Sequence, residues 1–119
     1  MFFFRQAPTK GMTAQEAVTA QRDGRVTVID LREHGEVAST GKAAGALHIP
    51  LSRLRDMADS RHPDHHPELK PEMALALYCA SGARSAQGAR LLRQMGFEDV
   101  HNIGGLAHWQ RAGGTVLNA

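Results

Sequence analysis

The chain has 119 residues, 42% of them hydrophobic and 22% charged, which suits one soluble globular domain built on a single core. Its formal charge is only +2 and the basic residues are scattered, so nucleic-acid binding is not expected. A lone cysteine rules out an internal disulfide and makes a reducing cytoplasm the simplest setting.

The opening stretch, Met1-Phe2-Phe3-Phe4-Arg5, is apolar but far too short for a signal peptide or a membrane span. Phe2 to Phe4 can dock on the domain or on a second copy, and the oligomeric state is not encoded. Residues 1–12 are read as an N-terminal segment and residues 13–119 as one domain.

Thr13-Ala14-Gln15-Glu16 has the form of a capping box, and Ala17, Val18 and Gln21 continue a short helix that Gly24 is placed to end. Val26-Thr27-Val28-Ile29-Asp30-Leu31 is rich in β-branched residues and almost continuously apolar, the pattern of a strand buried on both faces. Asp30 and Arg32 fall at its C-terminal end, the edge where open parallel sheets hold their ligands. Both are read as structural support, Asp30 bonding nearby backbone and Arg32 pairing with a carboxylate.

Glu33 to Ser39 predicts a turn or two of helix, and Ala46 to Ile49 a short strand that Pro50 terminates. Leu51 to Ala58 reads as a helix with Leu51 and Leu54 inward. Residues 59–72 carry three prolines and predict a long surface loop. Its His62, Asp64, His65 and His66 do not match the usual zinc spacings, so no metal ligand is assigned.

Met73 to Tyr78 is the next buried strand, and Ala83 to Met95 follows as a helix with Leu91, Leu92 and Met95 on one face. Between them stands Cys79-Ala80-Ser81-Gly82-Ala83-Arg84-Ser85. A strand, a tight turn and a helix therefore set the thiol at a helix N-terminus, where unpaired N–H groups and the dipole favour negative charge. Cysteines in such places have pKa values of roughly 3.5 to 7.5, against about 8.5 for a free thiol. Gly82 lets the turn fold tightly so that successive N–H groups share one concavity. Arg84 adds a fixed charge suited to a small oxyanion. A free cysteine is most often a small core residue. Gly82 and Arg84 beside it favour a nucleophile aimed at an anionic substrate.

Gly96 closes that helix, Val100 to Ile103 forms the last strand, and Gly104-Gly105 is read as a sharp turn. A final helical turn, Leu106 to Arg111, carries Trp109 as a core residue. His101 and His108 have no cysteine partner implied by spacing, so neither is taken as a general base. Strands alternating with helices predict an α/β fold with a mostly parallel sheet. No dinucleotide or P-loop motif is present.

Five stretches together resemble the single-domain rhodanese-like sulfurtransferases. They are Asp30-Leu31-Arg32-Glu33, Gly45 to Leu51, Cys79 to Ser85, Gly96-Phe97 and Gly104 to Trp109, and the likeness runs from about Thr13 to Gly114. The resemblance implies a five-stranded, mainly parallel sheet with helices on both faces. It implies that Cys79 cycles between thiolate and persulfide, that thiosulfate is the typical donor, and that cyanide or a cellular thiol is the acceptor. The backbone N–H groups of Ala80, Ser81, Gly82, Ala83, Arg84 and Ser85 would cradle the persulfide, and Arg84 would orient the donor's sulfonate. Neither metal nor organic cofactor is implied.

The related cysteine phosphatases and arsenate reductases place five residues between cysteine and arginine, whereas four stand here, which fits a cradle for one sulfur. Two departures bear on the donor. Ala80 stands where thiosulfate-using members often carry arginine, and Gly41-Lys42-Ala43-Ala44 replaces a Gly-His-Ile-like stretch. Lys42 replaces some of that charge if it faces the pocket. An alternative reading is a persulfide-carrying module served by a protein donor or acceptor.

Overall fold

The computed structural model describes residues 11–118. Helix α1 (Ala14–Arg22) leads into strand β1 (Thr27–Asp30), followed by α2 (His34–Thr40), β2 (Lys42–Ala43), β3 (Leu47–His48) and α3 (Leu51–Ala58). After a long connection come β4 (Leu75–Cys79), α4 (Ala83–Gln94), β5 (Val100–Gly105), α5 (Leu106–Arg111) and β6 (Val116–Leu117).

Strands β3, β1, β4 and β5 lie side by side in that order, every pair parallel. Among the described residues the main sheet thus has four strands, not the five that the family likeness implied. The two-residue β2 and β6 pair antiparallel with each other in a separate ladder instead of extending an edge.

Side chains alternate across the sheet as the strand repeat requires. Ile29, Leu31, Leu75 and Leu77 pack with Leu54, Leu92 and Phe97 on one face. Val28, Ala76, Tyr78 and Ile103 pack with Ala17, Val18 and Trp109 on the other. Helices α3 and α4 therefore cover one face, and α1 and α5 the other. Every residue of β4 is buried, which is why it reads as an unbroken apolar run.

Local chemistry sets the ends of these elements. Thr13 and Glu16 form the capping box of α1 in both directions. Helix α4 stops at Gln94, one residue short of the expected end, with Met95 as its C-cap. Trp109 is buried, and its indole N–H donates to the Thr115 carbonyl at 2.8 Å.

Gly104-Gly105, expected as a turn, instead completes β5, and Gly105 pairs with Cys79. A Cβ on Gly105 would fall on the Ala80 carbonyl, so glycine is needed there for close approach of two backbones. The connection between α3 and β4 contains no helix or strand, and Leu69 anchors it in the core. Within it Asp64 pairs with Arg53 at 2.6 Å and the His65 ring bonds the Leu69 carbonyl at 2.9 Å. No helix among the described residues is long and apolar enough to cross a membrane. The expectation for Phe2 to Phe4 falls outside the described residues.

Candidate active site

Strand β4 carries Cys79 to the C-terminal edge of the sheet, and α4 starts four residues later. Gly82, the N-cap of α4, has φ +110°, a conformation that L side chains rarely adopt, and offers no side chain to cap the helix. The thiol takes that role: the Ser85 N–H, in the first turn of α4, bonds to Cys79 Sγ, and the Gly82 N–H donates to it at 3.0 Å. Ser85 Oγ stands 3.5 Å from the same sulfur.

Burial pushes the Cys79 thiol up. The Ser85 hydroxyl and the backbone N–H groups of Ser85, Gly82 and Ser81 outweigh it and bring the pKa down to about 7. The residue is only 1% exposed, so the sulfur lies at the floor of its loop. A group that reaches the sulfur must be narrow and carry its reactive atom at its end.

Around the loop, the sequence-predicted residues separate into two groups. Ser81, Gly82 and Ser85 converge on the sulfur, whereas Ala80 and Ala83 are exposed and bring only backbone. Arg84 does not stand free. Its Nη1 and Nη2 donate to Glu36 Oε1 and Oε2 at 2.7 and 2.8 Å, a two-pronged ion pair between α4 and α2. That pairing, followed by the bond from the Glu33 N–H, holds the Glu36 carboxyl down to about 2. Lys42 spends its ammonium on the Ala46 carbonyl, 2.7 Å away.

Asp30, the last residue of β1, and Arg32 just beyond it form a buried ion pair at 2.8 Å. Arg32 also reaches Thr40 Oγ1 at 2.7 Å and the Gly41 carbonyl, tying the C-terminal end of α2 back to the end of β1. Asp30 accepts from the Tyr78 hydroxyl at 2.6 Å, and that hydroxyl accepts from the Ala43 N–H at 2.9 Å. Burial, first of all, pushes the Tyr78 phenol well above its ordinary pKa, so it stays protonated.

Three residues of the neighbourhood escaped the sequence reading. Asn102 accepts from the Ser85 hydroxyl at 2.7 Å and from the Gly104 N–H at 3.0 Å, and donates to the Gly82 carbonyl at 3.0 Å. It ties the loop to β5. Its only sequence clue is a polar residue just before Gly104-Gly105 at a strand end. Glu36 was hidden because its partner lies 48 residues on, and Tyr78 read simply as core. A cavity of about 740 Å³ lined by Thr13, Arg25 and His101 shares no residue with the Cys79 loop.

Comparison with known proteins gives this geometry a context. A sulfurtransferase from Allochromatium vinosum is 33% identical over 77% of this chain and 78% of that protein. The human thiosulfate:glutathione sulfurtransferase is 29% identical, covering 83% of this chain and 89% of that one. A solved protein of unknown function from Rhodopseudomonas palustris, described as a possible tyrosine phosphatase, superposes with a TM-score of 0.80 at 26% identity. That match covers 97% of this chain and all of the other. Residues 13–112 match the family model of the rhodanese-like domain, and with Cys79 at the start of α4 on a parallel sheet, the chain belongs to the rhodanese-like family.

Proposed function

We propose that this protein is a sulfurtransferase that carries a sulfane sulfur as a persulfide on Cys79, from thiosulfate or a related donor to a thiophilic acceptor. The observation that carries the reading is the thiol acting as cap of α4, with the Gly82 N–H on its sulfur at 3.0 Å and a pKa of about 7. A large share of the thiol is then ionised at neutral pH, and the thiolate is the nucleophile.

The thiolate attacks the outer sulfur of the donor. A new S–S bond forms, the donor's own S–S bond breaks, and sulfite leaves with the electron pair. The persulfide's terminal sulfur then takes up charge, which the N–H groups of residues 80–85 are placed to receive. A thiolate or cyanide attacks that outer sulfur, and Cys79 is released as thiolate. No redox partner is needed. Cellular thiols are the acceptor class we favour, and the name of the human relative includes one, glutathione. A reducing compartment such as the cytoplasm suits a single free thiol.

Thiocyanate formation from thiosulfate and cyanide tests the assignment. The wild type is expected to turn over and Cys79→Ser to fall to the rate without protein; equal rates would refute the role of Cys79. A second reading, a persulfide carrier served by another protein, is favoured by Ala80 and by the engagement of Arg84 with Glu36. Rapid sulfur loading from a protein persulfide beside poor thiosulfate turnover would select it.

A further inference from the structure

We propose that Glu36 sets the charge of the sulfur donor, holding Arg84 so that the site disfavours dianionic thiosulfate and accepts donors of lower charge such as thiosulfonates and persulfides. This rests on the sulfur-transfer reading of Cys79 and narrows its substrate class.

Arg84 stands in the first turn of α4, and it is the guanidinium of the Cys79 loop. Both of its terminal nitrogens are committed to Glu36, at 2.7 and 2.8 Å. This two-pronged match is the geometry that a sulfonate would otherwise use. The pair lies partly open to solvent, with side-chain exposures of 31% and 36%, so it stands where an arriving anion meets it.

Glu36 is itself pinned. Its Oε1 also accepts from the Glu33 N–H at 2.8 Å, which fixes the carboxylate at the start of α2. Glu33 adds a second negative charge to the field at Arg84. Ala80, next to the thiol, brings no charge. Among the described residues of the Cys79 loop, what remains for an anion is the array of backbone N–H groups at the start of α4, with a partial charge of roughly +0.5. That array already serves the thiolate. A dianion must therefore displace Glu36 from Arg84 or sit beside its carboxylate, and a monoanionic or neutral donor meets less of this opposition.

The two donor types share one reaction. Thiosulfate and methanethiosulfonate each present a terminal sulfur on a sulfonyl sulfur. The thiolate takes that terminal sulfur, the S–S bond breaks, and sulfite or methanesulfinate leaves with the pair. They differ by one unit of charge.

The test is steady-state kinetics with both donors on wild type and Glu36→Gln. Glutamine can still accept from the Glu33 N–H, so the cap of α2 is preserved. Glu36→Gln is expected to lower the thiosulfate KM by about tenfold, with kcat within about twofold and the methanethiosulfonate KM changing by less than about threefold. The difference between donors should shrink as salt is raised. Equal shifts for both donors, or an unchanged thiosulfate KM, would overturn the donor-charge role. A thermal melt of each protein separates these outcomes from misfolding, and a lost fold in Glu36→Gln would make Glu36 structural and reject the proposal. Intact mass after donor treatment separates the two levels. If neither donor adds sulfur to the wild type, the sulfur-transfer reading fails and this inference with it. If both add sulfur and the ratio of the two KM values is the same in Glu36→Gln, only the donor-charge inference fails.

Discussion

Ser85 has one hydroxyl hydrogen and three acceptors within its reach: Asn102 Oδ1 at 2.7 Å, the Gly82 carbonyl at 3.2 Å and Cys79 Sγ at 3.5 Å. The hydroxyl therefore divides its service, whereas the Gly82 N–H points at the sulfur alone. Both lower the Cys79 pKa, against the burial that raises it. Because the deprotonated form is the nucleophile, alkylation and sulfur loading should rise with pH, reach half their maximum near 7 and level above it. Between pH 6 and 8 the gain is about tenfold, and a rate still climbing steeply at pH 9 would contradict the assignment. Ser85→Ala is expected to raise the midpoint by about half a unit, since the backbone donors remain. A midpoint returned to that of a free thiol would show that the hydroxyl, not the backbone, holds the charge. Since Cys79 is buried, small alkylating reagents should outpace bulky ones.

The Cys79 loop keeps its shape because β5 presses against it. Gly105 pairs with Cys79, and its missing side chain leaves room for the Ala80 carbonyl. An added methyl would meet the Cys79–Ala80 backbone, which cannot swing away as a flexible side chain would. Gly105→Ala is expected to cost more than about 2 kcal/mol of stability and to slow sulfur loading together with it, read by denaturant unfolding and by turnover. A stable, fully active Gly105→Ala would mean the loop does not depend on that contact. The elements themselves were largely legible. The Thr13–Glu16 capping box, the helix from Leu51 to Ala58 and the strand before Cys79 all follow from spacing and residue type. What misled was Gly104-Gly105, because two glycines signal a turn and a close backbone approach equally well.

Across the whole molecule, Tyr78 ties the parallel sheet to the small β2–β6 ladder through Asp30 on one side and the Ala43 N–H on the other. Tyr78→Phe leaves the buried Ala43 N–H without that acceptor and Asp30 without that donor, at a cost of about 1–3 kcal/mol. The denaturation midpoint should fall while the slope with denaturant stays the same. An unchanged midpoint would show that the hydroxyl contributes nothing to holding the two parts together. The sheet's class and parallel character came from the alternation of apolar runs and helical patterns, but its fifth strand came from family likeness alone and is not among the described residues. Glu36, Asn102 and Tyr78 were illegible for one physical reason: their partners lie 48, 17 and 48 residues away along the chain, and only folding makes them neighbours. The thiol at the helix start was legible because strand, turn and helix are contiguous. Its chemistry is measured most directly by intact mass after brief exposure to thiosulfate or methanethiosulfonate: the wild type should gain one sulfur atom, lost again on adding cyanide, and Cys79→Ser should gain none. A wild type that gains no sulfur from either donor, with its thiol still titrating as an ordinary cysteine, would contradict the account.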